Sequence, residues 1–199
     1  MNYPNSIRNL IECFKKLPGV GDKTAERFSL AVLNFDDNVI KSFSESVLDV
    51  KYKIKRCSIC NNLTENDVCD ICLDSSRISN VLCVVEEAKN SILFEKIGTY
   101  KGKYHILNGL ISPLDGIGPD DINIDKLIKR VEDEKIEEVI LALRPSVEGE
   151  TTSLYISKML SDKNVKVTKI AHGIPLGADI DYIDVLTLEM ALEDRKEIC

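Results

Sequence analysis

Cys57-Ser58-Ile59-Cys60-Asn61-Asn62-Leu63-Thr64-Glu65-Asn66-Asp67-Val68-Cys69-Asp70-Ile71-Cys72 sets four cysteines in two C-x-x-C pairs separated by eight residues. Each pair is short enough to chelate one ion, and two pairs supply the four thiolates of a tetrahedral zinc site. The intervening segment, 61–68, is short and polar and holds no core of its own, so a bound ion is what would order it. Cys57, Cys60, Cys69 and Cys72 are therefore expected to hold one structural Zn2+ per chain, closed by four ligands and unreactive. Two disulfides would need an oxidising compartment. Four unrelated buried thiols would need an apolar segment, which Asn61, Asn62, Thr64, Glu65, Asn66 and Asp67 do not provide.

C-terminal to the quartet the pattern is that of an α/β domain. Val81-Leu82-Cys83-Val84-Val85 is a continuous apolar run, as expected of a strand buried on both faces. The stretch 136–143 is a second such run, and 165–170 is a half-exposed third. Helical spacing lies between them, in Ile124, Leu127, Ile128 and Val131 and again in Leu154, Tyr155, Met159 and Leu160. Strands alternating with helices predict a parallel sheet with crossover helices. A last helix is expected over 184–195, with Val185, Leu188 and Leu192 as its apolar positions.

N-terminal to the quartet the pattern is helical. Ile7, Leu10, Ile11 and Phe14 predict an amphipathic helix over residues 5–16, which Leu17-Pro18-Gly19-Val20-Gly21-Asp22 breaks. Asp22 is expected to cap a second helix whose apolar face is Ala25, Phe28, Ala31 and Val32. A third helical stretch carries Val39, Ile40, Phe43, Val47 and Leu48. Lys51-Tyr52-Lys53-Ile54-Lys55-Arg56 alternates with period two and predicts a short strand leading into the cysteines.

The chain has 199 residues, 44% of them hydrophobic, which suffices for a real core. Met1-Asn2-Tyr3-Pro4-Asn5-Ser6 has neither the basic nor the apolar region of an export signal. No apolar run approaches the ~20 residues of a membrane span. With seven cysteines and no export signal, a reducing cytoplasm is the expected location. Cys13 and Cys83 fall in apolar patterns and are expected to be small core residues; Cys199 has no assignable role. The net charge is −7, but unevenly spread: residues 1–56 hold ten Lys and Arg against seven Asp and Glu, while residues 80–199 hold fifteen against twenty-two. A basic N-terminal surface on an acidic body is compatible with nucleic-acid binding.

Leu17-Pro18-Gly19-Val20-Gly21, between two short helices, has the form of a helix-hairpin-helix turn. Gly19 and Gly21 permit a tight turn and close backbone approach. The free N–H groups opening the second helix suit a phosphate, with Lys23 and Arg27 one turn apart on the same face and Thr24 beside them. Contacts of that kind go to the nucleic-acid backbone and are largely independent of sequence. The bland alternative is a helix turn with a solvated basic face. Lys51, Lys53, Lys55 and Arg56 would form a second basic stripe if the strand exists, or simply keep an exposed strand soluble.

In the α/β part, Glu86 ends the first buried strand, and Glu148-Gly149-Glu150 lies at the corresponding end of the second. In open α/β sheets ligands bind at those carboxyl ends. Converging carboxylates there would suit Mg2+; alternatively the glutamates cap a helix N-terminus. Leu114-Asp115-Gly116-Ile117-Gly118-Pro119-Asp120-Asp121 is glycine-rich but lacks the Lys-Ser/Thr of a P-loop. His105 and His172 have no sequence partner for metal or catalysis, so loop or edge hydrogen bonding is expected of them.

These segments together resemble the RecR family of bacterial recombination mediators. The order is a helix-hairpin-helix at 17–27, a four-cysteine zinc module, and a Toprim-type domain opening at Val81-Leu82-Cys83-Val84-Val85-Glu86. Ser112-Pro113-Leu114-Asp115-Gly116-Ile117-Gly118-Pro119, Val147-Glu148-Gly149-Glu150-Thr151-Thr152 and Ile170-Ala171-His172-Gly173-Ile174-Pro175 follow. The resemblance implies an α/β multi-module fold. Its parts are a helix-hairpin-helix module at 1–56, a four-cysteine zinc finger at 57–72, a Toprim domain at 80–175, and a C-terminal helical tail at 176–199 that serves assembly. It implies a non-enzymatic DNA-repair factor that forms homo-oligomeric rings around DNA. With RecO, and RecF where present, such a factor loads RecA onto gaps covered by single-strand-binding protein. Gly19, Gly21, Lys23, Thr24 and Arg27 fall at the family's DNA-contacting positions; Glu86, Glu148 and Glu150 carry over as Toprim motif residues with partner contact or Mg2+ left open. Two departures stand out. Arg144-Pro145-Ser146 replaces the usual Asn-Pro-Thr, bringing a cation to the carboxylates. Gly177-Ala178-Asp179-Ile180-Asp181-Tyr182 replaces a Gly-Gly-Glu-Leu-Glu-Tyr segment.

The competing functional classes are a Mg2+-dependent Toprim enzyme acting on DNA, nuclease or primase-like, and a zinc-bearing adaptor that binds protein alone. The first is disfavoured because Glu148-Gly149-Glu150 stands in place of an aspartate pair and the chain has no room for a nucleophile domain. A Mg2+-dependent activity abolished by Glu86→Gln would promote the enzyme; a chain without DNA affinity would promote the adaptor.

Overall fold

The structure is a computed structural model and describes residues 3–171, 173–174, 177–193 and 195. His172 and Cys199, both singled out in the sequence, lie outside the described residues. The chain divides into two units, Met1–Ile54 and Lys55–Cys199.

The first unit is three helices: α1 (Asn5–Lys15), α2 (Asp22–Val32) and α3 (Asp37–Tyr52). α1 packs on α2. Ile7, Leu10, Ile11 and Phe14 are half-buried, and the Phe14 ring meets Phe28 edge-on at 5.7 Å. Of α2 only Ala25 and Ser29 are buried; Ala31, expected on the apolar face, is exposed. Cys13 is also exposed, contrary to its apolar context. Two packed helices cover one stripe of each other, and Cys13 lies beside that stripe rather than in it. Asp36 caps α3, its Oδ1 accepting from the N–H groups of Asn38 and Val39. No residue of α3 is buried, and Val39, Phe43 and Val47 lie exposed four residues apart.

The strand expected over 51–56 is mostly absent. Lys51 and Tyr52 finish α3, and only Lys55–Arg56 forms a strand, β1. The Lys53 N–H donates to the Asp49 carbonyl at 2.8 Å and its Nζ reaches the Asp49 carboxylate at 2.6 Å. Helical i,i+4 bonding thus carries past the period-two pattern, and Lys51, Lys53, Lys55 and Arg56 do not line one strand face.

The second unit opens with an antiparallel pair, β1 and β2 (Leu63–Thr64), then α4 (Asp70–Leu73). There follow β3 (Val81–Val85), α5 (Ala88–Ile97), β4 (Lys103–Ile106), α6 (Ile124–Asp133), β5 (Glu138–Ala142), α7 (Val147–Met159), β6 (Lys166–Lys169) and α8 (Val185–Glu193). The four longer strands form one parallel sheet in the order β4-β3-β5-β6, with Val84 in register with His105 and Leu141.

Alternation along β3 divides the core in two. Leu82 and Val84 face one side with Val139, Leu141, Leu127, Val131, Ile156 and Leu160, beneath α6 and α7. Cys83 and Val85 face the other side with Tyr104, Ile106, Phe94 and all four cysteines of the quartet. The cysteine module therefore shares the covering of that face with α5, which contributes Phe94. α7 packs through Thr152, Ser153 and Ile156, whereas Leu154, expected inward, is 70% exposed. The parallel strand β4, with α5 before it, was not foreseen in the sequence.

Candidate functional site

The four cysteines converge. Their sulfurs all lie within 4.8 Å of one another, and each residue is buried. Cys60 Sγ and Cys69 Sγ are 3.5 Å apart. Zn–S bonds of ~2.3 Å put tetrahedral sulfurs about 3.8 Å from each other, so the donor set fits Zn2+. Cys57, Cys60, Cys69 and Cys72 are all unbridged. Packed this closely, the sulfurs contend for protons. Hydrogen bonds from the Cys60 and Cys72 thiols favour the Cys69 thiolate and lower its pKa, and donation to Cys69 pushes Cys60 up. A cation in their midst would replace those shared protons.

The local backbone explains why the loop can present them. The Cys57 N–H donates to the Asn62 carbonyl at 2.7 Å and the Asn61 N–H to the Cys57 carbonyl at 2.9 Å, closing a tight knuckle. Asn61 takes a left-handed conformation, φ 63°, which asparagine tolerates better than most residues. The Cys69 N–H donates to Cys57 Sγ at 3.3 Å, tying the second pair to the first. The knuckle is joined to the sheet by the Ile106 N–H, which donates to the Cys60 carbonyl at 2.9 Å. Asn61 Nδ2 returns a bond to the Ile106 carbonyl at 3.1 Å.

Arg130, on α6, is a buried cation that nothing in the sequence marks out. Lys126, Lys129 and Arg130 look like one solvated basic face, yet Arg130 is buried and donates through Nη1 to the Tyr104 carbonyl at 2.7 Å. It pairs i,i+4 with Glu134 at 2.9 Å.

In the first unit, the turn between α1 and α2 places Gly19 at φ 78°, a left-handed conformation that favours glycine. Gly21, not Asp22, occupies the N-cap position, in extended conformation, and accepts from the Ala25 N–H at 2.9 Å. Asp22 enters the first turn and its carboxylate is drawn 2.8 Å from Lys15 Nζ. No side chain caps α2, so its leading N–H groups lack side-chain acceptors. Lys23 and Arg27 are exposed, Thr24 half-buried. Neither cation has an anionic partner among the described residues, and Arg27 lies over the Phe28 ring at 5.6 Å. Gly19 and Gly21 thus shape the turn into α2, whose first two turns carry Lys23, Thr24 and Arg27, with the Asp22 carboxylate beside them held by Lys15.

The Toprim-motif carboxylates are engaged separately. Glu86 follows β3 and lies 3.5 Å from the Arg144 guanidinium. Glu148 accepts from Ser146 Oγ at 2.7 Å, and that bond, its own N–H and Arg144 hold it below the usual carboxylate range. Glu150 pairs with Lys169 at 3.0 Å. Ser146, not a glutamate, caps α7, accepting from the Gly149 N–H at 3.2 Å. Among the described residues the cysteine quartet is the only group of acidic, cysteine or histidine side chains whose ligand atoms gather within 4.8 Å, so the three carboxylates do not make a preformed Mg2+ cage. A cavity of about 260 Å3 between α5 and the ends of β3 and β5 is lined by Glu86, Phe94, Leu143 and Arg144. His105 lies buried in β4 with Nε2 2.8 Å from the Asn123 carbonyl, a hydrogen-bonding role as expected.

No helix among the described residues is long and apolar enough to cross a membrane. Four family models match the chain in order: RecR helix-hairpin-helix at residues 7–50, RecR four-cysteine zinc finger domain at 54–74, Toprim domain at 80–171, and RecR C-terminal at 173–196. Together they support a DNA-binding role in recombinational repair and structural zinc at the quartet.

Proposed function

The chain belongs to the RecR family, and from that premise we propose that it is a recombination mediator acting on DNA without regard to sequence. In this reading it assembles as a homo-oligomeric ring and works with RecO, and with RecF where present, to load RecA onto gapped DNA. The observation that carries the reading is the uncapped start of α2, where backbone donors without a side-chain acceptor precede Lys23 and Arg27, neither of them ion-paired among the described residues, while the nearby Asp22 carboxylate is held by Lys15. A phosphate supplies both the acceptor and the charge.

One Zn2+ per chain, held by Cys57, Cys60, Cys69 and Cys72, supplies cross-linking rather than chemistry, since four thiolates leave no open position. The chain's own bonds do the positioning: the Ile106 N–H and Asn61 Nδ2 fix the knuckle to the sheet. We read the Toprim domain as non-catalytic. Arg144 beside Glu86 and Lys169 beside Glu150 already satisfy carboxylates that an enzyme of this class would reserve for metal.

Salt titration of DNA binding tests the proposal. Replacing Lys23 and Arg27 with alanine should weaken binding and lower the slope of log K against log salt by about 2 on duplex DNA. An unchanged slope in the double variant would remove this surface from the DNA contact.

A further inference from the structure

Among the described residues Arg130 is the most deeply buried charged side chain, 6% exposed. A guanidinium withdrawn from water needs its donors and its charge answered. Nε donates to Glu134 at 2.9 Å and Nη1 to the Tyr104 carbonyl at 2.7 Å. Nη2, fully enclosed, has no partner. Glu134 is about one-third exposed, so water screens much of its charge.

The surroundings point to what the remaining charge faces. Tyr104, whose carbonyl takes Nη1, packs in one cluster with all four cysteines. α4, which carries Cys72, packs on the same strand, β4. A cavity of about 270 Å3 is lined on one side by Ser58 and Ile59 of the Cys57–Cys60 knuckle and on the other by Lys126, Lys129, Arg130, Asp133 and Glu134. Zinc carrying four thiolates is a net anion, and the Cys69 N–H is a single backbone donor to it. Lys126 and Lys129 are exposed, so water attenuates them; Arg130 is not.

We infer that Arg130 is the counter-charge of the tetrathiolate metal centre, a positioning residue on α6 that sets the affinity of the quartet for zinc. The inference rests on the zinc assignment and adds that the site is incomplete without a residue far from it in sequence. Its role is to stabilise the anionic, metal-loaded cluster and hold it against β4.

The test is zinc affinity at fixed pH, by competition with a chromophoric chelator, with zinc uptake by the wild-type chain checking the assignment itself. Arg130→Met should bind zinc about tenfold more weakly or worse, the range in which outer partners of metal ligands act. Arg130→Lys should stay near wild type, and Lys126→Met should match it. Glu134→Gln, which keeps the guanidinium, should bind zinc as tightly or more tightly, and it decides the matter if Arg130→Met does not fold. Wild-type affinity in Arg130→Met, equal weakening in Lys126→Met, or loss of affinity in Glu134→Gln would each overturn the inference. A wild-type chain that takes up no zinc would instead refute the metal assignment beneath it.

Discussion

Gly149→Ala isolates a backbone requirement inside the acidic motif. Gly149 lies between Glu148 and Glu150 in the first turn of α7, and a Cβ there would stand 1.9 Å from the Arg144 carbonyl oxygen and 3.1 Å from its carbon. The obstacle is main chain, and the same carbonyl accepts from the Ser146 N–H at 2.9 Å, so the turn cannot swing aside freely. Overpacking costs ~1–3 kcal/mol, and a clash with backbone belongs at the upper end. Alanine returns ~1 kcal/mol through helix propensity. The net loss is about 2 kcal/mol, a fall in Tm of roughly 4–8 °C for a unit of this size. Differential scanning calorimetry of the zinc-loaded chain would read it, with Gly118→Ala as control, since a Cβ at Gly118 meets only the Asp121 carboxylate at 3.6 Å. A Gly149→Ala chain melting with the wild type would refute the close approach. The glycine of the motif is then explained by helix docking, independently of what the flanking carboxylates do.

Cys60→Ser should leave the purified chain well short of one zinc by atomic absorption and lower the Tm of the α/β unit, because the quartet shares a core cluster with Tyr104 and Ile106; full zinc content with an unchanged Tm would contradict this. Burial lowers His105 to about 4, so between pH 6.5 and that value the unfolded chain binds a proton that the folded chain refuses. The stability is present above pH 6.5 and is lost as pH falls towards 4, by on the order of 3 kcal/mol. His105→Gln, which keeps a donor for the Asn123 carbonyl, should flatten that stretch of the stability–pH curve, and parallel curves for the two proteins would exclude the mechanism.

Local signals were the ones legible in sequence. The quartet was readable because chelation depends on short spacing, and β3 and β5 because burial on both faces demands unbroken apolar runs. β4 escaped notice because Lys103-Tyr104-His105-Ile106 looks mixed in polarity; Tyr104 and His105 are buried by partners that arrive from the cysteine module, α5 and the segment at Asn123. Arg130 is hidden for the same reason: its i,i+4 acid, Glu134, is matched by Asp133 four residues after Lys129, so the spacing alone does not separate the two. Over 51–56 two periods compete, and six alternating residues are too few to outweigh an established helix. At the start of α2, Asp22 has the right chemistry for a cap, but Lys15 claims its carboxylate and Gly21 takes the position.

The bonds between the knuckle and Ile106 also bear on solubility. Among the described residues the parallel sheet has two outermost strands, β4 and β6, and edge strands are where an extended peptide can pair. β6 is guarded by lysines at both ends, Lys166 and Lys169, which deter intruding strands. β4 has Lys103 at its start, but its outer side is shielded further along by the loop that donates and accepts at Ile106. Losing the metal would therefore do more than loosen a small loop. It would uncover a template for intermolecular β-pairing at the Ile106 end of β4.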